Sequence, residues 1–399
     1  MSRIASLNEH GIYEDLMRAF VQNGHCVYAV SPAEERDGIS TQITESSNRH
    51  CLLRVRTENL QKTSFVKKGI ATLCIASKFK RAIEKYFKSI KFDLILYSTP
   101  PITLYDTIKY FKKRDGAHTV LLLKDIFPQN ALDIGVLKQS GIKGVIYRYF
   151  RKKEKSLYGV SDYIGCMSQA NVDYILTHNP EIDRSTVSII PNSIEPQDVC
   201  LNKEERDAMR EKYGIPQDRT VFVYGGNLGK PQGIQFIIEC LKSQKYNDKV
   251  YFLIVGDGTE FEKLRGFVET EDPNNVKLMR RLPKVDFDTM IAACDVGLIF
   301  LDHRFTIPNY PSRLLSYMQA GLPVLACTDP NTDVGKDIVD GGFGWWCESD
   351  DAENFSKLIN EICCCDLTEK GNMARKYLNN YFDATDGYRA IIDKVGDLK

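Results

Sequence analysis

The chain has 399 residues, 43% of them apolar and 27% charged, with 53 Lys+Arg balancing 53 Asp+Glu. That length and composition exclude a collagen-like, coiled-coil or largely disordered chain and leave room for two to three domain cores. The charge is split by region: residues 1–190 carry 28 Lys+Arg against 19 Asp+Glu, and residues 191–399 carry 25 against 34. Such a polarity points either to an anionic surface met by the first half or to drift of surface charge.

In chain order, a short first strand is expected over Arg3–Leu7, before the loop Glu9-His10-Gly11-Ile12-Tyr13. Residues 33–50 are polar and poorly patterned and are expected as a long loop. Phe79, Ala82, Ile83, Tyr86, Phe87 and Ile90 recur at helical spacing. Asp93–Ser98 and Thr119–Leu123 are apolar runs of the kind buried on both faces of a parallel sheet, with a helical pattern through Leu104, Ile108 and Phe111 between them. In the second half, Thr220–Tyr224 is a strand closed by Gly225-Gly226, and Val250–Val255 is a strand closed by Gly256-Asp257-Gly258. Ile234, Ile237, Ile238 and Leu241 mark a helix, and Asp295–Leu301 and Pro323–Ala326 are two more strands. Strand–helix alternation in both halves predicts an α/β protein of two doubly wound domains. The boundary is expected near Ile190–Pro196, giving domains 1–190 and 191–380, with residues 381–399 a terminal helix that packs back on the first. No repeat or low-complexity tract is present. Open α/β sheets bind ligands at the carboxyl ends of their strands, so the chemistry is sought in those loops.

The twelve cysteines form no C-x-x-C pair and no Cys/His cluster at zinc spacing, so they are expected as inert thiols and no metal site is expected. No apolar run approaches the ~18 residues of a membrane span. The first residues lack the apolar region of a signal peptide, so a cytoplasmic location is expected.

Two segments carry candidate chemistry. Tyr224–Gly233 includes Gly226, Asn227, Leu228, Gly229 and Lys230 between a strand and a helix. Its glycines admit close approach of a ligand to the backbone, and a helix start with a lysine suits a diphosphate. A plain strand-to-helix turn fits the same residues. Pro308–Val324 contains Tyr310, Pro311, Ser312, Arg313 and Ser316. Ser312 is a candidate N-cap, Gly321 a candidate helix end, and Arg313 stands by free N–H groups at the helix start.

These segments, with Val255-Gly256-Asp257-Gly258, Ala293–Leu298 and Ala320-Gly321-Leu322-Pro323-Val324, occur in an order and spacing that resemble the donor domain of retaining glycosyltransferases of family 4. Ile189–Ser193 resembles that family's interdomain element, and Gly165-Cys166-Met167-Ser168 the serine closing its first domain. The branch most resembled builds bacterial capsule, exopolysaccharide or O-antigen repeats. The resemblance implies a GT-B fold of two Rossmann-like domains facing across a cleft. The second domain would hold a nucleoside-diphosphate sugar, UDP- or GDP-linked, and the first an acceptor. It implies no cofactor and no metal, helix dipoles and cationic side chains offsetting the diphosphate. It also implies net retention, by attack on the face from which the leaving group departs.

The donor residues it implies are Gly226, Asn227, Leu228, Gly229, Gly256, Tyr310, Pro311, Ser312 and Ser316, with Lys230 and Arg313 as catalytic cations. The chain departs from the family at its paired glutamates, which fall on Pro308 and Ser316, and at two loop positions that are often basic but here are Asn227 and Gln232. In the first domain three strand ends offer acceptor residues: His10 and Gly11, Ser98 and Thr99, and Lys124. Asp125 is the candidate for orienting or deprotonating the acceptor hydroxyl, a helix-capping role being the alternative.

Arg148, Arg151, Lys152 and Lys155 fall at i, i+3, i+4 and i+7, with Ile142, Val145, Ile146, Tyr149 and Phe150 on another face. A basic amphipathic helix suits anionic headgroups. With the lipid-diphosphate-linked saccharide that the resemblance implies as acceptor, this predicts peripheral attachment to the inner face of the plasma membrane. No nucleic-acid motif is found. A catalytically silent homologue serving as a scaffold, or a sugar-nucleotide epimerase of the same fold, are the alternative functions.

Overall fold

The computed structural model describes residues 4–59 and 65–396 and, of residues 65–73, the backbone alone. The chain divides into two compact units, residues 1–195 with 382–399, and residues 196–381. The division falls five residues beyond the expected 190. Residues 190–195 are held in the first unit: Ile190 N–H donates to Cys166 O (2.8 Å), Ile194 N–H to Phe382 O (2.9 Å) and Glu195 N–H to Asp15 (2.9 Å).

The first unit contains strands β1 (Val27–Glu34), β2 (Gln42–Ser46), β3 (His50–Thr57), β4 (Leu94–Ser98), β5 (His118–Leu123), β6 (Tyr163–Cys166) and β7 (Val187–Ile189). Its helices are α1 (Glu14–Gln22), α2 (Phe65–Tyr86), α3 (Tyr105–Asp115), α4 (Gln129–Asp133), α5 (Gly141–Val160) and α6 (Gln169–His178). The strands form two sheets, β1-β3-β2 and the parallel β4-β5-β6-β7.

Two expectations fail here. Residues 33–50 are not one loop, because Gln42–Ser46 pairs antiparallel with β3 as an edge strand. Its residues are almost all exposed, so no alternation of apolar and polar residues marks it. The strand expected over Arg3–Leu7 is also missing. Arg3 lies outside the described residues, and Ile4–Leu7 is irregular, Ile4 N–H donating to the side chain of Ser31 (2.9 Å) rather than to a backbone carbonyl. Ile4 and Leu7 still bury against Ala29 and Leu52.

The second unit contains β8 (Thr220–Asn227), β9 (Val250–Asp257), β10 (Val276–Met279), β11 (Val296–Phe300), β12 (Val324–Thr328) and β13 (Gly344–Glu348). They form one parallel sheet in the order β10-β9-β8-β11-β12-β13. Counted from β8, this is the 3-2-1-4-5-6 order of a Rossmann sheet, whose topological switch lies between β8 and β11. Its helices are α7 (Lys203–Tyr213), α8 (Ile234–Ser243), α9 (Phe261–Glu271), α10 (Lys284–Ala292), α11 (Arg313–Gln319), α12 (Val334–Asp340), α13 (Ala352–Ile362) and α14 (Leu367–Tyr381).

A core of Phe222, Phe252, Ile254, Leu298, Phe355 and their neighbours is packed under one face of this sheet. A half-buried Asp295 locks the start of β11 to β8: it accepts from Val221 N–H (2.7 Å) and from the buried Arg210 (2.7 Å), with Arg206 as a further partner. In a low-dielectric interior such a pair is costly unless fully hydrogen-bonded, and Arg210 also donates to Ala293 O and Pro216 O. The last helix, α15 (Ala384–Val395), belongs to the first unit, where Ile391 and Val395 cluster with Leu16 and Phe20 of α1.

Candidate functional site

In the second unit the site is built at the switch point. The glycines do not close β8 and β9 as expected. The strands run on through Gly225–Asn227 and Gly256–Asp257, paired Gly226 with Gly256 and Asn227 with Asp257. The glycines serve close packing within those strands. A Cβ at Gly225 would stand 2.0 Å from the Phe287 ring of α10, and one at Gly256 would stand 2.1 Å from Gly226 O. Gly226 itself has φ +146, which L side chains rarely adopt.

Leu228 is buried in the core, its N–H donating to Asp257 O (2.9 Å) and its carbonyl accepting from Glu260 N–H (2.9 Å). It therefore has no group left for a donor, which corrects its expected contact role. Gly225 N–H donates to the Tyr317 hydroxyl (3.0 Å). Gln232 Oε1 accepts from both Gly229 N–H (3.2 Å) and Asn227 Nδ2 (2.8 Å). Of the expected contributors to a diphosphate site, the loop amides are thus narrowed in number. Those of Gly225 and Leu228 are committed inside the fold, and that of Gly229 is held by a side-chain oxygen that an anion can replace.

The charge at this turn comes from side chains. Arg313 lies at the start of α11, its guanidinium stacked 4.8 Å over the Phe287 ring and its Nη2 3.7 Å from the position of a Cβ on Gly226. It has no acidic partner among the described residues. Lys230 is exposed at the same loop, likewise without one. Tyr317 sets α11 in place: its hydroxyl donates to Leu298 O (3.1 Å), and its ring fills the space that a side chain on Gly297 would need. Ser316, one turn beyond Arg313, shares its face of the helix. Ser312 stands at the cap position but makes no capping hydrogen bond, so α11 begins without the expected N-cap. Before it, Tyr310 donates to Asp337 (2.8 Å), Thr332 donates to Asn309 O, and Pro308 is buried. Pro311 and Ser312 follow at the surface end of that loop.

In the first unit the ends of β4 and β5 meet the turn before α1. Thr99 is buried, and its Oγ1 accepts from the N–H groups of Lys124 and Asp125 (both 3.1 Å). This shapes the turn after β5 and makes Thr99 a positioning residue. Ser98 Oγ and Tyr13 OH lie 2.9 Å apart, one donating to the other. Lys124 Nζ stands 3.9 Å above the Tyr13 ring, and burial pushes its ammonium down to about 7. Asp125 accepts from Asn130 Nδ2 (2.6 Å), and burial pushes its carboxyl up to about 6. It caps no helix, since α4 starts at Gln129 after Pro128. Glu14, whose carboxyl burial also raises, lies against Gly11, where a Cβ would meet its Oε2 at 2.5 Å.

His10 is drawn elsewhere. Its Nδ1 lies 2.9 Å from Arg18 Nη2, in a network where Arg18 pairs with Asp15 and donates to Leu7 O and Glu9 O. His10, Asp15 and Glu195 form a cluster of metal-ligand types, but Arg18 is engaged with all three. Tyr13, Glu14, Asn130, Phe287 and Tyr317 were not foreseen. Tyr13 and Tyr317 lie within the quoted segments and Glu14 adjoins one, but none was read as a site residue, because the contacts that give them their roles come from tertiary packing.

The basic stripe on α5 is likewise corrected. Arg151 is paired with the buried Glu154 (2.6 Å) and donates to Asn179 (2.6 Å), Lys155 pairs with Glu181 (2.9 Å), and Arg148 donates to Gln139 O (3.4 Å). Of the four, Arg148 and Lys152 have no acidic partner among the described residues. All twelve cysteines are free thiols. No helix among the described residues is long and apolar enough to cross a membrane.

A two-unit α/β chain with a Rossmann-ordered sheet and an unpaired guanidinium at its switch point has the architecture of a GT-B glycosyltransferase. The family model for Glycosyl transferases group 1 matches residues 205–380, so the second unit is a group 1 glycosyltransferase domain. The chain is 26% identical over 342 residues to a probable glycosyltransferase, WbjE of Pseudomonas aeruginosa, covering 85% of this chain and 82% of that one. It is 27% identical over 179 residues to the O-antigen biosynthesis glycosyltransferase WclY of Escherichia coli, covering 44% and 45% of the two chains. In fold it is similar to Anabaena Alr3699/HepE in complex with UDP-glucose, with a TM-score of 0.62 at 16% identity, over 86% of this chain and 85% of that one.

Proposed function

We infer that this protein moves a sugar from a nucleoside-diphosphate sugar, UDP- or GDP-linked, to a lipid-diphosphate-linked saccharide in the synthesis of a bacterial surface polysaccharide. The observation that carries this reading is Arg313. A guanidinium without an acidic partner, stacked on Phe287 beside the side-chain-free Gly226 turn, leaves an anion as its missing counterpart. WclY, named for O-antigen biosynthesis, and the UDP-glucose complex of HepE support the acceptor class and the donor class.

The diphosphate gains charge as it leaves the sugar. Preorganised cations in a site of lowered dielectric stabilise that charge more than water does. Arg313 and Lys230 supply them, and displacement of Gln232 frees the Gly229 N–H as a further donor. Ser316 stands where the family's ribose-binding glutamate would, offering a hydroxyl in place of a carboxylate. With that cationic pair no divalent metal is required. The acceptor hydroxyl, oriented by Asp125 and Lys124, attacks the anomeric carbon on the face from which the diphosphate departs, which gives retention, and its proton passes to Asp125 or to the departing phosphate oxygen.

A panel of UDP- and GDP-sugars, followed by thermal shift and by release of free nucleotide in EDTA, tests the reading. One donor is expected to shift the melting temperature and to be hydrolysed slowly without acceptor, with the anomeric configuration kept on transfer. Absence of any nucleotide-dependent shift overturns it in favour of a silent homologue. Release of an epimerised sugar nucleotide overturns it in favour of an epimerase.

A further inference from the structure

The turn that follows β11 is tied to the loop that carries Lys230. Asp302 N–H donates to Pro231 O (2.9 Å), and a Cβ on Gly233 would stand 3.4 Å from Asp302 Cα. The loop after β12 holds the same turn further on. There Asn331 Nδ2 donates to Phe305 O (2.6 Å) and the Thr332 hydroxyl to Asn309 O. Residues 302–309 are thus fixed at the carboxyl edge of the sheet, and they join the Lys230 loop to the segment that leads into Arg313.

Within this turn Asp302 is buried and the Arg304 side chain is half-exposed. Arg304 meets the carboxylate side-on. Its Nε donates to Oδ1 (2.8 Å) and its Nη2 to Oδ2 (2.6 Å), while its backbone N–H also donates to Oδ1 (3.1 Å). The pairing neutralises a buried charge and fixes the plane of the guanidinium. It consumes one edge of that group. The other edge, Nη1 with the second Nη2 hydrogen, has no acceptor among the described residues and remains a complete fork. In a Rossmann sheet the half that begins with the first strand takes the nucleoside, and the pyrophosphate crosses at the switch point. Here β8, β9 and β10 form that half. The terminal phosphate then falls to the β11 side, where Arg304 stands.

We propose that Arg304, aligned by Asp302, is a third cation of the donor site and receives the terminal phosphate of the nucleoside diphosphate through its free fork. The proposal rests on the nucleotide-sugar reading above and deepens it. The β8 loop offers Asn227 and Gln232 beside Lys230, both uncharged, and Arg304 adds from the neighbouring strand a charge that this loop lacks. The terminal phosphate is the one from which the sugar departs. Arg304 therefore stabilises the charge that grows there, and Asp302, which touches Arg304 and not the substrate, is a positioning residue.

The test is calorimetric titration of UDP against UMP, and of GDP against GMP, into the full chain and its variants. Arg304→Ala is expected to weaken the diphosphate that the wild type binds at least about 10-fold, the loss of one charge-assisted contact, and to leave the matching monophosphate within about twofold. Arg304→Lys keeps a charge beside Asp302 but not the fork. It is expected to keep the wild-type melting temperature and still to bind the diphosphate at least about 5-fold less tightly. Asp302→Asn, which loosens the guanidinium without removing it, is expected to fall between the wild type and Arg304→Ala. Unchanged diphosphate affinity in Arg304→Ala, an equal loss for diphosphate and monophosphate, or full recovery of diphosphate affinity by lysine each overturns the proposal. The two readings fail differently. A wild type that binds no nucleotide removes both, whereas a wild type that binds one, with the same preference for diphosphate over monophosphate in Arg304→Ala, removes the role of Arg304 alone.

Discussion

The two units prepare for their ligands in opposite ways. In the second, the polar groups that pack the strand ends are satisfied inside the fold (Tyr317 on Gly225 and Leu298, Asp257 on Leu228, Gln232 on Gly229), and the cations Arg313 and Lys230 are left without acidic partners among the described residues. In the first, Lys124, Asp125 and Glu14 are held where burial disfavours their charged forms. One site stores unneutralised charge on a rigid sheet edge, which suits an anion. The other stores groups poised near neutrality, which suits proton transfer to or from a hydroxyl. On the proposed reading, the electrostatic part of the reaction falls to the second unit and the proton-handling part to the first.

The largest effect that sharpens this contrast is expected at Arg313. Arg313→Ala should lower kcat/KM by about 10²- to 10³-fold, the loss seen when one preorganised charge stabiliser is removed, and Lys230→Ala by about 10²-fold. Steady-state kinetics with the donor found by screening checks both; unchanged kinetics at either position removes it from the mechanism.

Asp125→Asn should cost about 10²-fold in kcat without lowering the melting temperature at pH 7. The sign of its pH dependence follows from the raised carboxyl. The folded chain keeps a proton between about pH 4 and 6 that the unfolded chain has lost, so stability falls as pH rises through that window. Activity moves the other way, rising with pH through about 6 as the base form appears. Lys124, pushed down to about 7, contributes stability that falls as pH drops from its unfolded value near 10.5 to about 7. A pH series of melting temperatures and rates on the wild type and Asp125→Asn reads both slopes; identical slopes in the two proteins would place Asp125 outside the titration.

A purely structural break is expected at Arg210. Truncation to Ala should cost about 3 kcal/mol by removing a fully buried side chain and one of the partners of the half-buried Asp295, measurable by urea unfolding. The smallest effect is expected at Gln232, where Ala frees the Gly229 N–H and should tighten nucleotide binding a few-fold. Weaker binding in that variant would show that Gln232 is itself a donor contact.

What could be read in the sequence follows from which signals are local. The apolar runs at β5, β8, β9, β11 and β12 announce themselves because both faces of a parallel strand are buried. The edge strand Gln42–Ser46 does not, since its side chains face water. Gly225-Gly226 and Gly256 read as strand ends because glycine is common in turns. In the folded chain they extend the strands, because Phe287 and Gly226 O crowd the places where side chains would be. Arg313 and Gly226 could be paired as an anion site from their motifs. The stacking ring of Phe287 and the anchoring hydroxyl of Tyr317 could not, since neither contact has a sequence pattern. The α5 stripe misled for the same reason: Glu154 is visible as an i+3 neighbour of Arg151, but Asn179 and Glu181 reach α5 only through the fold.

On the proposed reading, the β8–β11 switch point holds a nucleoside diphosphate through Arg313 and Lys230. Calorimetric titration of UDP and GDP, in EDTA, into the wild type and Arg313→Ala tests it most directly. Saturable binding of one nucleotide, weakened at least about 10-fold by the substitution, is the predicted result; affinity equal in the two proteins, or no binding of either nucleotide to the wild type, would contradict it.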